Sequence, residues 1–155
     1  MGRIDQAQRR IAATPAVLYQ ALMKREALER WLPPDGMTGR IERFDPRPGG
    51  GFRMELTYLD AAGGPGKASA SQDVTEVEFA ALEPDAQVVW QVEFVSDDPD
   101  LAGTMTMTWV LAEVAGGTAV SVRADDVPPG ISASDHEAGI ASSLANLAAY
   151  VGTLG

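Results

Sequence analysis

Residues 134–151 read S-D-H-E-A-G-I-A-S-S-L-A-N-L-A-A-Y-V. Ile140, Leu144, Leu147, Val151 and then Leu154 recur at steps of four, three, four and three. That is the period of a single helix face, so the spacing predicts a long C-terminal helix with one apolar stripe. Ser134 and Glu137 have the S-x-x-E spacing of a capping box, which places the start of the helix there. His136 lies on the same stripe, one turn before Ile140. Such a helix must bury its stripe against something, and the upstream sequence supplies the partner.

Upstream the period is two. Phe52, Met54, Leu56 and Tyr58 alternate with Arg53, Glu55 and Thr57. Val88, Trp90, Val92 and Phe94 form a second run, and Met105, Met107, Trp109 and Leu111 a third, spaced by Thr104, Thr106 and Thr108. Val120, Val122 and Ala124 form another. This alternation predicts half-buried strands. Further strands are expected over 3–12, over 37–46 and over 68–82, the last with Val77 and Phe79 on one face. Turns fall at Gly49-Gly50-Gly51, Asp60–Gly66, Pro84-Asp85 and Gly116-Gly117, with an irregular stretch from Asp125 to Ala133. Between the first two strands, Thr14-Pro15 caps and opens a short helix over 15–23, with Val17, Leu18, Ala21 and Leu22 apolar. A second short helix over 25–32 is stopped by Pro33-Pro34. Strands linked as hairpins make an antiparallel sheet with one face to cover, and the last helix is the only element long enough to cover it. The expectation is an α+β, two-layer fold in a single domain spanning residues 1–155.

Composition narrows the function classes. The 155-residue chain has no cysteine and one histidine, which removes disulfides, thiol chemistry and Cys- or His-rich metal sites. Its net charge of −10 argues against general binding to nucleic acid or anionic lipid. That charge is uneven. Residues 1–50 hold nine Lys/Arg against six Asp/Glu, a balance of +3, and residues 51–155 hold three against sixteen, a balance of −13. No apolar run is long enough to span a bilayer, and the N-terminus lacks the apolar centre of a secretory signal, so a cytoplasmic location is expected.

Four segments carry a family resemblance: T-P-A-V-L-Y-Q-A-L (14–22), E-A-L-E-R-W-L (26–32), F-D-P-R-P-G-G-G-F-R-M-E-L (44–56) and H-E-A-G-I-A-S-S-L-A-N-L-A-A-Y-V (136–151). Together they resemble the activator of heat-shock protein 90 ATPase homologue family of the START-like, or SRPBCC, superfamily. The resemblance covers roughly residues 10–152. It implies the helix-grip (START-like, Bet v-like) fold, a curved antiparallel sheet gripping the C-terminal helix with a cavity between them. Two positions depart from the family pattern. Ile140 stands where a Trp is common, and Ala81 where a Glu is often found.

On this reading the function is non-enzymatic binding of a small hydrophobic molecule. Phe52, Met54, Tyr58, Phe79, Trp90, Met105, Met107 and Trp109 share the inward parity of their strands, and Trp31 ends the second helix. Most such residues must be core, yet apolar and aromatic walls with a few polar groups are also how ligand pockets are built. With His136, Ile140 and Leu144 they form the expected cavity lining. A chaperone-regulating interaction module, as the family name implies, is the alternative. Arg25, Arg30 and Arg43 would then serve as partner-binding residues. The second alternative is a small cyclase- or hydrolase-like enzyme, for which His136, Tyr58 and Asp73 are the polar groups on offer.

No catalytic residue, metal ligand or cofactor is assigned, and the expected state is a monomer or homodimer. Gly63–Ala68 is Gly-rich, but Ala61 and Ala68 stand where a phosphate loop needs Gly and Ser or Thr. Asp97, Asp98 and Asp100 could chelate calcium only without Pro99 between them, so that segment reads as a solvated loop.

Overall fold

The computed structural model describes residues 3–34, 36–58 and 72–153. In chain order these form β1 (Arg3–Ile11), α1 (Pro15–Leu22), α2 (Arg25–Trp31), β2 (Met37–Glu42), β3 (Gly51–Tyr58), β4 (Gln72–Glu83), β5 (Gln87–Phe94), β6 (Thr104–Val114), β7 (Gly117–Val127) and α3 (Ala133–Gly152). All seven strands join one antiparallel sheet in the order β1-β7-β6-β5-β4-β3-β2. The sheet curls around α3, giving the α+β helix-grip fold. The Gly63–Ala68 segment and Leu154 lie outside the described residues.

The register follows from the side-chain pattern. Phe52 faces Val77, Val77 faces Val92 and Val92 faces Met105, so one apolar row crosses four strands. A second row runs Phe79–Trp90–Met107. A slip of one residue would turn these side chains outward, which is why the pattern sets the pairing. Rings from this face stack into a ladder. Trp31 meets Trp109 edge to face at 5.4 Å, Trp109 meets Trp90 at 5.0 Å, and Trp90 meets Phe52 at 5.5 Å. Phe44 and Phe79 complete the cluster around Phe52.

The three helices are tied together by side chains that satisfy backbone carbonyls. The Trp31 indole donates to the Ala21 carbonyl at 3.0 Å, joining α2 to α1. Where Pro33-Pro34 ends α2, the freed Leu32 and Pro33 carbonyls accept from Ser143 Oγ at 2.6 Å and Asn146 Nδ2 at 2.9 Å on α3. Orphan carbonyls at a helix end need such partners. Both outer strands are also closed by helix carboxylates. Gln6 N–H on β1 donates to Glu137 at 3.3 Å, and Ile41 N–H on β2 donates to Glu29 at 2.7 Å. Covering free edge donors limits edge-to-edge pairing with other chains.

Several local expectations are corrected. The α3 cap is Ser132, whose hydroxyl accepts from Asp135 N–H at 3.3 Å, and the helix opens at Ala133. Glu137 does not close a box with Ser134, because the β1 edge amide has claimed its carboxylate. Strand β2 ends at Glu42 rather than at 46, since Arg43 takes φ +59° and turns the chain. Strand β7 continues to Val127, three residues into the stretch expected to be irregular. A bulge shifts its register against Arg3 and Ile4, and Asp126 within it has φ +59°. On α1 the buried face holds Leu18, Tyr19, Ala21 and Leu22, and Val17 is exposed. Asp98 caps a single 3-10 turn over Pro99–Leu101 by accepting from Asp100 N–H at 2.9 Å.

The cap assignment can be checked directly. Ser132→Ala is expected to lower stability by about 1 kcal/mol, and Ser134→Ala by no more than a few tenths. Urea unfolding of the two variants beside the parent separates them, and the reverse order would restore the box at Ser134.

Candidate functional site

Two concavities border the sheet. The larger, about 770 Å³, lies on the outer face of the sheet and is polar, with Arg43, Asp45, Glu76, Glu78 and Glu93 among its walls. Within it Glu76 pairs with Arg43 and, at 2.9 Å, with Arg53, and Glu93 accepts from Thr104 at 3.0 Å. The smaller, about 340 Å³, lies between sheet and α3 and has apolar walls. Apolar and aromatic walls with a few polar groups are how small-molecule sites are lined. This space is the candidate site.

Strand parity supplies the walls. Phe52, Met54, Leu56 and Tyr58 come from β3, and Asp73, Thr75 and Val77 from β4. Trp90, Val92 and Phe94 come from β5, and Met105, Met107 and Trp109 from β6. No residue of β1 or β7 lines the space. Helix α3 leans on that side of the sheet instead, and the gap opens over β3–β6. Asp135, His136, Gly139, Ile140 and Ser143 form the helix wall. Gly139 matters there because an added Cβ would meet no heavy atom within 4 Å. Glycine inside a helix costs about 1 kcal/mol relative to alanine, and here it keeps the helix surface flat beside the space.

Of the expected lining residues, Phe52, Met54, Tyr58, Trp90, Met105, Met107, Trp109, His136 and Ile140 are all on this wall. Trp31, Phe79 and Leu144 are not. All three are fully buried core, with Trp31 engaged by Ala21 and Trp109 rather than standing at a mouth. Ile140 borders the space without filling it. Ala81 lies at the β4–β5 bulge, away from the cavity.

One end of the cavity is polar. The Tyr58 hydroxyl donates to Asp73 Oδ2 at 3.4 Å. The Asp73 charge, partial burial and the more distant Asp135 charge push the phenol above its usual range, so it stays protonated. His136 Nδ1 is 2.8 Å from Asp5 Oδ2, a contact spanning 131 residues. Asp5 is 1% exposed and also receives Arg3 through Nε at 3.2 Å and Nη2 at 3.0 Å. Burial pushes the Asp5 carboxyl upward, but hydrogen bonds from His136 and Arg3, with their charges, outweigh it and hold the group below its ordinary value. With Asp5 as its partner, the imidazole has its Nδ1 committed. Asp5 and Arg3 were not legible as site residues, because a strand acid is ordinarily solvent-facing and its partner lies at the other end of the chain.

The indole N–H groups of Trp90 and Trp109 are buried on the cavity wall, with no acceptor among the described residues. A buried donor left unpaired costs about 1–3 kcal/mol, so each marks a place where an acceptor would be stabilised. Ser143, by contrast, is committed to Leu32. Among the described residues no cluster of His, Asp or Glu is arranged to hold a metal. The three arginines expected to bind a partner are drawn into separate surroundings. Arg25 lies 3.8 Å from Glu26, Arg43 pairs with Glu76, and Arg30 borders a surface hollow of about 400 Å³ with Asn146 and Tyr150. Among the described residues no helix is long and apolar enough to cross a membrane.

Replacing Asp5 tests the buried pair. Asp5→Ala leaves His136 and Arg3 without their anion and should cost about 3 kcal/mol at neutral pH, read by urea unfolding. The carboxyl's folded pKa is depressed, so its stabilisation is present above the ordinary Asp value of 3.8 and is lost as pH falls through the lower folded value. In Asp5→Asn that part of the acid-side decline should vanish. An unchanged pH–stability curve would assign the decline to other carboxylates.

Comparison with known proteins places the geometry. The family model described as Activator of Hsp90 ATPase homolog 1-like protein matches residues 12–152. A solved structure from Chromobacterium violaceum is 28% identical with a TM-score of 0.83, covering 96% of each chain. One from Rhodobacter sphaeroides is 22% identical at a TM-score of 0.80, covering 99% of this chain and 96% of that one. Another from Arthrobacter aurescens is 14% identical at 0.81, covering 97% and 86%, and likewise shares the fold. No curated protein matches the chain.

Proposed function

The chain belongs to the family of Activator of Hsp90 ATPase homolog 1-like proteins, and we propose that it acts as a non-enzymatic carrier or sensor of a small, largely hydrophobic molecule. The observation that carries this reading is the 340 Å³ space between α3 and β3–β6, apolar on its walls and polar at one end. Small-molecule sites have this composition and a volume in the same range. The bare helix surface at Gly139 and the unpaired indole donors of Trp90 and Trp109 support the same conclusion.

Binding is favoured over catalysis by how the polar groups are occupied. Tyr58 is held to Asp73, His136 to Asp5 and Ser143 to Leu32. A nucleophile needs a base within hydrogen-bond reach, and the hydroxyl–carboxylate pair on this wall, Tyr58 with Asp73 at 3.4 Å, stands at the exposed end of the cavity. The family name points to chaperone regulation, but the dispersed arginines give that reading no specific surface.

The test uses N-phenylnaphthylamine, a neutral dye that brightens in apolar surroundings. The purified protein should bind it saturably. Gly139→Leu should cut the fluorescence gain at least about fivefold by projecting into the space, while stability holds or rises by about 0.5–1 kcal/mol through helix propensity. A variant that folds normally and still binds the dye fully would move the site elsewhere.

A further inference from the structure

We infer that the molecule held in this cavity is neutral and carries a hydrogen-bond acceptor, a carbonyl on an apolar body, which takes the indole N–H groups of Trp90 and Trp109. The inference deepens the ligand-binding reading and rests on it. Trp90 on β5 and Trp109 on β6 both border the cavity, and at 2% and 1% exposure they are almost wholly buried. Their rings are neighbours, with centroids 5.0 Å apart. Neither indole nitrogen has a partner among the described residues, and both are closed off from bulk water. Trp31 shows what the same group does in this fold when an acceptor is at hand, since its N–H donates to the Ala21 carbonyl at 3.0 Å. An indole N–H can only donate, so whatever satisfies it must accept.

A carbonyl oxygen has two lone pairs and accepts from two donors at once. Set against this wall, it pairs groups that apolar neighbours leave unpaired, whereas a hydrocarbon of the same shape leaves them as they are. The surroundings disfavour a charged acceptor. Phe52, Met54, Val92 and Met105 share the wall, and among the described residues no Lys or Arg lines the cavity. An anion placed there loses its water with no cation to replace it. The hydroxyls of Tyr58 and Ser143 are committed to Asp73 and to the Leu32 carbonyl, so they do not compete for the same acceptor.

Benzophenone and diphenylmethane differ only by a carbonyl in place of a methylene. Diphenylmethane is the more hydrophobic, so hydrophobicity alone favours it. Each is titrated against bound N-phenylnaphthylamine, with calorimetry as a direct check. Benzophenone should bind at least about tenfold tighter than diphenylmethane, and at least about tenfold tighter than diphenylacetate, the same body with a carboxylate. The chain has three tryptophans, so proton–nitrogen spectra read the donors themselves. Between the diphenylmethane and benzophenone complexes, the indole proton resonances of Trp90 and Trp109 should move downfield and that of Trp31 should stay. The double variant Trp90→Phe, Trp109→Phe should bring ketone and hydrocarbon within about threefold. The spectra need no variant and decide the matter if this one fails to fold. Equal or reversed affinities of ketone and hydrocarbon in the parent overturn the inference, as does a ketone advantage that survives the double substitution. Indole resonances that respond alike to both compounds, or diphenylacetate matching the ketone, overturn it too. Any of these alongside normal dye binding sinks this inference alone, whereas absence of dye binding sinks the cavity reading and this one together.

Discussion

The contact between Asp5 and His136 joins the first strand to the first turn of the last helix, and much else depends on it. A helix lying on a curved sheet is free to slide or tilt unless polar contacts pin it, because apolar packing has little directionality. Here the pin is a buried carboxylate held on two sides, by His136 at 2.8 Å and by Arg3. One residue further along the helix, Glu137 takes the edge amide of Gln6. The pinned end sets α3 against the β1 side of the sheet. The cavity lies on the other side of the helix, over β3–β6.

The rest of the helix layer follows the same logic of satisfying backbone groups through side chains. Ser143 and Asn146 accept the role of completing the end of α2. Glu29 does for β2 what Glu137 does for β1. Polar residues on the helices thus bind carbonyls and amides that the sheet and the prolines leave open, each net contribution about 1 kcal/mol. Their number matters less than their placement, since they fix the separation between layers. That separation decides whether Trp90, Trp109 and Ile140 meet in a solid core or border a space.

Much of the architecture was legible along the chain. Alternation in Phe52–Tyr58, Val88–Phe94 and Met105–Leu111 announced the strands, and the Ile140–Val151 stripe announced the gripping helix. Inward strand parity brought seven of the expected residues to the cavity wall, and the helix stripe brought His136 and Ile140. Trp31, Phe79 and Leu144 went to the core instead, because periodicity separates inside from outside but not core from cavity. Local signals misled where a distant partner intervened. The S-x-x-E spacing of Ser134 and Glu137 was a sound capping pattern, overridden because the β1 edge amide needed an acceptor.

The sequence by itself determined the periods, the order of the elements, the charge balance and the family pattern, since these depend on neighbours within a few residues. Only the tertiary structure decided that Asp5 is buried, that His136 has one ring nitrogen committed, and that Tyr58 is held to Asp73 at the polar end of the cavity. Those properties belong to pairs such as Asp5–His136 and Tyr58–Asp73, whose members are 131 and 15 residues apart. Burial and hydrogen-bond partnership are set by distance in space, which no local pattern of side chains encodes.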